Sequence, residues 1–101
     1  MLNMYAFDCD GCLDRSFGPI PVEMLLNLKA MGHVVVVVSP SVLCANPRIP
    51  GIEYINESDR LTNLLEAKRR HPNCQYYYYF TDNPGEELLE EPSGFTVIKV
   101  V

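Results

Sequence analysis

The chain lacks long apolar runs and has little basic charge. No stretch approaches the roughly 20 apolar residues that a helix needs to span a bilayer. The N-terminus has no basic region followed by an apolar stretch and a cleavage site, so we expect a cytoplasmic protein without membrane contact. Lys and Arg number 8 against 13 Asp and Glu, a net charge of −5, which argues against an extended nucleic-acid surface.

Paired cysteines are also few. Of the four cysteines, Cys9 and Cys12 form a close pair, while Cys44 and Cys74 stand alone. A structural zinc site normally has two paired sets of ligands, and a disulfide framework is not expected in a cytosolic protein. We therefore interpret the cysteines as free thiols that pack as small apolar groups.

The remaining pattern predicts one α/β domain. The 101 residues fit a single domain over 1–101, without internal repeats or a clear linker. Short apolar runs alternate with helical stretches, which indicates a parallel sheet covered by helices. Five strands are predicted over residues 2–7, 33–38, 52–55, 76–80 and 95–101. Helices are predicted from Pro21 to about Met31, from Ser58 or Asp59 to about His71, and as a short turn over 86–91.

Two of these helices have a predicted apolar face. The spacing of apolar residues places one side of each helix against the sheet. Gly32 is a typical stop signal for the first helix, and Ser58 or Asp59 can cap the second. The apolar face comprises Leu25, Leu26, Leu28 and Met31 in the first helix, and Leu61, Leu64, Leu65 and Ala67 in the second.

Polar and acidic residues directly follow three of the strands. Asp8 and Asp10 follow the first strand, Ser39 follows the second, and Asp82 and Asn83 follow the fourth. Each group taken alone is also an ordinary turn sequence. The carboxyl ends of parallel strands meet at one edge of a sheet, where open α/β sheets bind ligands. Their joint occurrence therefore favours a site.

The chemistry of such a cluster points to phosphate and metal. Neighbouring carboxylates repel unless a cation or protons neutralise them, and all-oxygen ligands favour a hard cation such as Mg²⁺. A carboxylate can attack phosphorus and form an aspartyl-phosphate. A second carboxylate can protonate the leaving oxygen and later deprotonate water. A hydroxyl and a cationic side chain can hold the phosphoryl oxygens.

In these residues the chain resembles the haloacid dehalogenase (HAD) superfamily of phosphohydrolases over nearly its whole length. The first motif, Asp-x-Asp-Gly-(Thr/Val), corresponds to residues 8–12, the second to Ser39, and the fourth to residues 80–86. Cys12 replaces the usual Thr or Val, and Thr81 replaces the common Gly. The resemblance implies a Rossmann-like three-layer domain with a five-stranded parallel sheet of order 5-4-1-2-3. It also implies a small flap over residues 12–20.

The resemblance also implies a role for each matching residue. Asp8 would be the nucleophile and a Mg²⁺ ligand. Asp10 would be the general acid and base and would bind the metal through its backbone carbonyl. Ser39 would bind the substrate phosphate, and Asp82 would complete the metal site.

The third motif needs a cation near the start of the helix before strand four. Arg60 occupies that position, whereas Lys68 is the family's commoner residue type but lies late in the helix, towards the opposite end of the sheet. We expect Arg60 to bind the phosphate. Glu86 lies where the family often has a second acid, and Asn83 is a possible substitute. The glutamates at 86, 87, 90 and 91 also fit a solvated acidic face.

The sequence therefore predicts Mg²⁺-dependent hydrolysis of a phosphomonoester. No insertion between the motifs is long enough for a cap domain, and an open site fits a bulky substrate, such as a phosphorylated macromolecule or a nucleic-acid end. A homo-oligomer could also supply the missing cap. Two alternatives stay open: a phosphotransferase of the same fold, and a catalytically inactive HAD-like binding or regulatory domain. A phosphoacceptor signalling domain ranks last, because it needs an Asp after the third strand and a Lys after the fifth.

Overall fold

A computed structural model describes residues 2–8, 18–39 and 49–100. Asp10 and most of the predicted flap over 12–20 lie outside these ranges. The strands are β1 (Met4–Phe7), β2 (Val34–Val38), β3 (Glu53–Ile55), β4 (Tyr77–Thr81) and β5 (Thr96–Lys99). The helices are α1 (Val22–Ala30), α2 (Arg60–Arg70), a 3-10 helix (Glu86–Leu89) and α3 (Glu90–Ser93).

The five strands form one parallel sheet, as the sequence predicts. The order is β3-β2-β1-β4-β5, which is the predicted series of neighbours counted from the opposite edge. β1 lies at the centre, where Phe7 pairs with Val37 of β2 and with Phe80 of β4. The residue after β1 therefore lies between the carboxyl ends of both neighbouring strands.

Two buried clusters cover the two faces of the sheet. Alternate residues of a strand point to opposite faces, so Phe7 belongs to one cluster and Ala6 to the other. Helix α1 contributes Leu25 to the first cluster, and α2 contributes Leu64 to the second. Valines of β2 belong to both clusters, which explains a continuous β-branched run in a strand covered on both faces.

The predicted apolar faces of the helices are partly wrong. Leu26 and Met31 are 42% and 70% exposed, and Leu65 is 44% exposed. In α1 the contact stripe consists of the buried Leu25 and the partly buried Val22, Met24 and Leu28. Each helix rests on the sheet along a narrow stripe, so a neighbouring leucine is rotated away from the core. The buried stripe of α2 consists of Asn63, Leu64 and Ala67.

Local signals set the start of α2 and the end of α1. The side chain of Asp59 accepts the backbone N–H of Thr62 at 2.8 Å, so Asp59, one of the two predicted caps, caps α2. After α1 the chain turns at Gly32, whose φ of 94° suits glycine. Among the described helices, none has the length and apolar character required to cross a membrane.

Candidate functional site

Asp8 lies directly after the central strand and is fully buried. Its backbone N–H donates to the carbonyl of Phe80 at 2.8 Å, which fixes the end of β1 against β4. Ser39 follows β2 and is also buried, and its N–H donates to Ile55 O at 3.3 Å. Asp82 follows β4. Asp8, Ser39 and Asp82 therefore lie at the carboxyl edge of three adjacent strands, as the sequence predicts for a parallel sheet.

Two side chains from distant parts of the chain hold the Asp8 carboxylate. Nη1 of Arg60 lies 2.6 Å from Oδ1 of Asp8, and Nδ2 of Asn83 donates to Oδ2 at 3.0 Å. A hydrogen bond from a charged donor is shorter and stronger than one between neutral groups. Among the described residues, a cation and an amide therefore hold the Asp8 carboxylate.

Arg60, and not Lys68, is the cation beside Asp8. The ammonium of Lys68 donates to the carbonyl of Ser93 at 3.3 Å and lies 4.9 Å from the centre of the Tyr77 ring. Tyr77 begins β4, so Lys68 is at the end of the sheet opposite Asp8. This placement agrees with the choice of Arg60 as the residue in the third-motif position.

Tyr79 and Glu86 also contact the guanidinium group of Arg60. Nη1 of Arg60 donates to the Tyr79 hydroxyl at 3.0 Å, and Nε forms an ion pair with Oε2 of Glu86. The Tyr79 hydroxyl in turn donates to Oε1 of Glu86 at 3.0 Å. Oε1 also accepts a hydrogen bond from the hydroxyl of Thr81. We call Tyr79 and Glu86 together the arginine clamp.

Burial and charge fix the protonation states in this cluster. Burial opposes the charge of Arg60, but the hydrogen bond to Asp8 and the charges of Asp8 and Glu86 outweigh it and raise the pKa. Burial, reinforced by the charges of Asp8 and Glu86, raises the pKa of Tyr79 in spite of the charge of Arg60. At neutral pH Arg60 is therefore a cation, and Tyr79 is a neutral phenol whose O–H can donate a hydrogen bond to Glu86.

Asp82 has a buried carboxylate oxygen without a hydrogen-bond partner among the described residues. Its Oδ1 atom is buried and accepts no hydrogen bond within the described part of the chain. Leaving a buried polar atom unpaired is costly, and a hard cation would satisfy a carboxylate oxygen. The donor chemistry of Asp8 and Asp82 therefore fits Mg²⁺. No set of three or more His, Cys, Asp or Glu side chains could hold a metal within residues 2–8, 18–39 and 49–100, and Asp10, the third expected ligand, lies outside them.

Asn63, to which the sequence assigns no role, holds the loop that precedes Arg60. Oδ1 of Asn63 accepts the backbone N–H groups of Glu57 and Ser58 at 3.0 Å each, and Nδ2 donates to the carbonyl of Ser58 at 3.0 Å. These bonds fix the loop that leads from β3 into the first turn of α2. The signal was an asparagine on the apolar stripe of a helix, where it is unfavourable unless its side chain has partners.

Two other sequence interpretations are revised by the geometry. Tyr79 lies in the predicted fourth strand, where the sequence assigns it no role, and its hydroxyl contacts both Arg60 and Glu86. Glu86 does not lie on a solvated face, since its side chain is 14% exposed. Both carboxylate oxygens of Glu86 face protein donors, so its contacts are with Arg60, Tyr79 and Thr81.

Comparison of the chain with protein-family models, with curated proteins and with solved structures returned no significant match.

Proposed function

We propose that this domain is a Rossmann-like hydrolase of the HAD type that cleaves phosphomonoesters through an aspartyl-phosphate on Asp8. One observation carries the proposal: the buried carboxylate of Asp8 ends the central strand, held by Arg60 and Asn83. Next to that strand end, Asp82 has a buried oxygen without a hydrogen-bond partner among the described residues. A nucleophile, a fixed cation and a cation-binding carboxylate are the parts that phosphoryl transfer requires.

The first step forms a bond between a carboxylate oxygen of Asp8 and phosphorus, and breaks the bond between phosphorus and the ester oxygen. Arg60 and Asn83 hold the carboxylate in one orientation, which lowers the entropic cost of the attack. The leaving oxygen takes a proton, and the resemblance assigns that donation to Asp10. In the second step water attacks phosphorus and gives a proton to Asp10. The bond between phosphorus and the Asp8 oxygen breaks, and inorganic phosphate leaves with the Asp8 carboxylate restored.

One guanidinium nitrogen of Arg60, Nη2, is available to bind the substrate. Its Nη1 and Nε atoms are engaged by Asp8, Tyr79 and Glu86, whereas Nη2 has no partner within the described residues. The side chain is 21% exposed, so solvent and substrate can reach it. We assign Nη2 to the phosphoryl oxygens, where a guanidinium group stabilises the charge that spreads in the transition state. The hydroxyl of Ser39 is assigned to the same phosphoryl group.

Asp8, Asp10 and Asp82 are the residues that would hold Mg²⁺. When bound, Mg²⁺ would supply positive charge that offsets the negative charge of the carboxylates and of the phosphoryl group.

The test is turnover of para-nitrophenyl phosphate with Mg²⁺ and with a chelator. We expect metal-dependent release of para-nitrophenol that is lost in Asp8→Asn. The matched control is Asp59→Asn, which makes the same chemical change at an exposed helix cap where asparagine also caps. Beryllofluoride should bind to the wild-type protein with Mg²⁺ and not to Asp8→Asn. Equal turnover in wild type and Asp8→Asn would refute the assignment of the nucleophile.

The same assay separates the alternative functions. A phosphotransferase would form a new phosphate ester when an acceptor alcohol is added, at the expense of inorganic phosphate. The inactive binding or regulatory domain is favoured by the fact that both Asp8 oxygens are bonded to the chain's own side chains. That alternative predicts no turnover and no beryllofluoride adduct in a folded protein.

A further inference from the structure

We propose that Tyr79 and Glu86, the arginine clamp, are positioning residues that hold Arg60 in the orientation needed for binding the phosphoryl group. The inference rests on the proposed function and concerns the same site. It assigns a functional role to a strand tyrosine and gives Glu86 a role other than metal binding.

The hydroxyl of Tyr79 does not contribute to the packing of the hydrophobic core. The side chain is fully buried and packs in the same cluster as Met4, Ala6 and Leu64. Phenylalanine would bury the same ring without the cost of desolvating a hydroxyl. The hydroxyl is instead used twice, as acceptor from Nη1 of Arg60 and as donor to Oε1 of Glu86.

The contacts of Arg60 define the plane of its guanidinium group. Nη1 is held by Asp8 and Tyr79, and Nε is held by Glu86. Because the guanidinium group is planar and rigid, fixing Nη1 and Nε also fixes Nη2. Nη2, the only guanidinium nitrogen without a protein partner among the described residues, is therefore held in one place. Phosphate binding then loses less conformational entropy.

Glu86 is suited to this role because both of its oxygens are committed. Oε2 pairs with Arg60, and Oε1 accepts from the hydroxyls of Tyr79 and Thr81. Thr81 also accepts the backbone N–H of Asn83 at 3.1 Å through its hydroxyl oxygen. The clamp is thus linked to Asn83, the second residue that holds Asp8, so one network orients both donors to the nucleophile.

The direct test is hydrogen exchange of the Arg60 Nε–H with water, measured by ¹⁵N NMR. The signal is assigned by its loss in Arg60→Gln. We expect slow exchange in the wild type and exchange at least several-fold faster in Tyr79→Phe and in Glu86→Gln. Tyr78→Phe is the matched control, because Tyr78 is a neighbouring strand tyrosine that stacks on Tyr5, and its exchange should equal that of the wild type.

The functional test uses turnover of para-nitrophenyl phosphate. Loss of an orienting group around a reactive centre commonly costs roughly 10- to 100-fold, so we expect a fall of about tenfold in kcat/KM for Tyr79→Phe. Because Tyr79 acts through Arg60, adding Tyr79→Phe to Arg60→Gln should cause no further loss. Circular dichroism checks that each variant folds, and Glu86→Gln replaces Tyr79→Phe if that variant does not fold.

Two results would overturn the proposal. One is exchange of the Arg60 Nε–H in Glu86→Gln and Tyr79→Phe that matches the Tyr78→Phe control. The other is a loss of activity from Tyr79→Phe that is as large with glutamine at position 60 as with arginine. If the wild-type protein turns over no substrate, the proposed hydrolysis fails, and the exchange rates alone then decide whether the clamp holds Arg60.

Discussion

Replacing Asn63 by alanine should destabilise the protein by more than any ordinary change to a polar helix residue. Asn63 is fully buried, and its amide forms three hydrogen bonds of 3.0 Å with the backbone of Glu57 and Ser58. At a net value of about 1 kcal/mol for each bond, their loss costs about 3 kcal/mol.

Two effects reduce this figure. Glu57 and Ser58 are exposed, so water can reach part of the freed backbone. Alanine also favours a helix over asparagine by up to about 0.7 kcal/mol. We therefore expect the free energy of unfolding to fall by about 2 kcal/mol, which corresponds to roughly 10 °C in Tm for a domain of this size.

Urea and thermal unfolding monitored by circular dichroism measure this change. The control is Asn27→Ala, because Asn27 is an exposed residue of α1. That variant should stay within about 0.5 kcal/mol of the wild type. A loss for Asn63→Ala that equals the loss for Asn27→Ala would refute the reasoning, since it would mean that the three bonds contribute nothing to stability.

Three further predictions concern helix ends and surface charges. Asp59→Ala should lower Tm, because the side chain of Asp59 caps α2. Hydrogen bonds to the backbone and side chain of Thr62 lower the pKa of Asp59. The difference in Tm between Asp59→Ala and the wild type should therefore vanish as the pH falls below the usual aspartate range. Hydrogen bonds from Arg69 and Arg70 lower the pKa of Glu66 to about 2, from 4.5. The ionised Glu66 should therefore contribute fully to stability above about pH 4.5, and this contribution should be lost as the pH falls towards 2. A comparison of acid unfolding in the wild type and in Glu66→Gln would detect the loss. Gly94→Ala should lower the free energy of unfolding by about 1 kcal/mol in urea unfolding, because the φ of Gly94 is 77° and residues with L side chains rarely adopt that conformation. An unchanged free energy of unfolding would contradict this prediction.

The order of elements was predictable from the sequence because each has a strong local signal. The valines of β2 and the cap of α2 depend on neighbouring residues. The structure confirms the valine strand, and of the two predicted caps, Ser58 and Asp59, it shows Asp59. Strand ends differ from prediction by one to a few residues because pairing partners decide where a strand stops. β1, for example, begins at Met4, which pairs with both Val34 and Tyr77.

The contacts of the candidate site were predictable only in part. Arg60 was assigned to the site through the resemblance, whose third motif implies a cation at the start of the helix before strand four. The contacts of Tyr79 and Glu86 with Arg60 depend on the face of β4 that carries Tyr79 and on the direction of the chain after Gly85. A run of four tyrosines does not reveal which hydroxyl is buried. Nor does a string of glutamates reveal which one turns inward.

The wide separation in sequence of the residues around Asp8 has a consequence for how the protein folds. Asp8 bonds to residues 52 and 75 positions away, and β1 must find parallel partners on both sides before these side chains meet. Pairings between distant segments close large loops and slow folding. Collapsed or partly folded chains therefore lack the cluster of side chains around Asp8, even where single helices have formed. Any molecule that binds there will recognise only the finished fold and will stabilise it against unfolding.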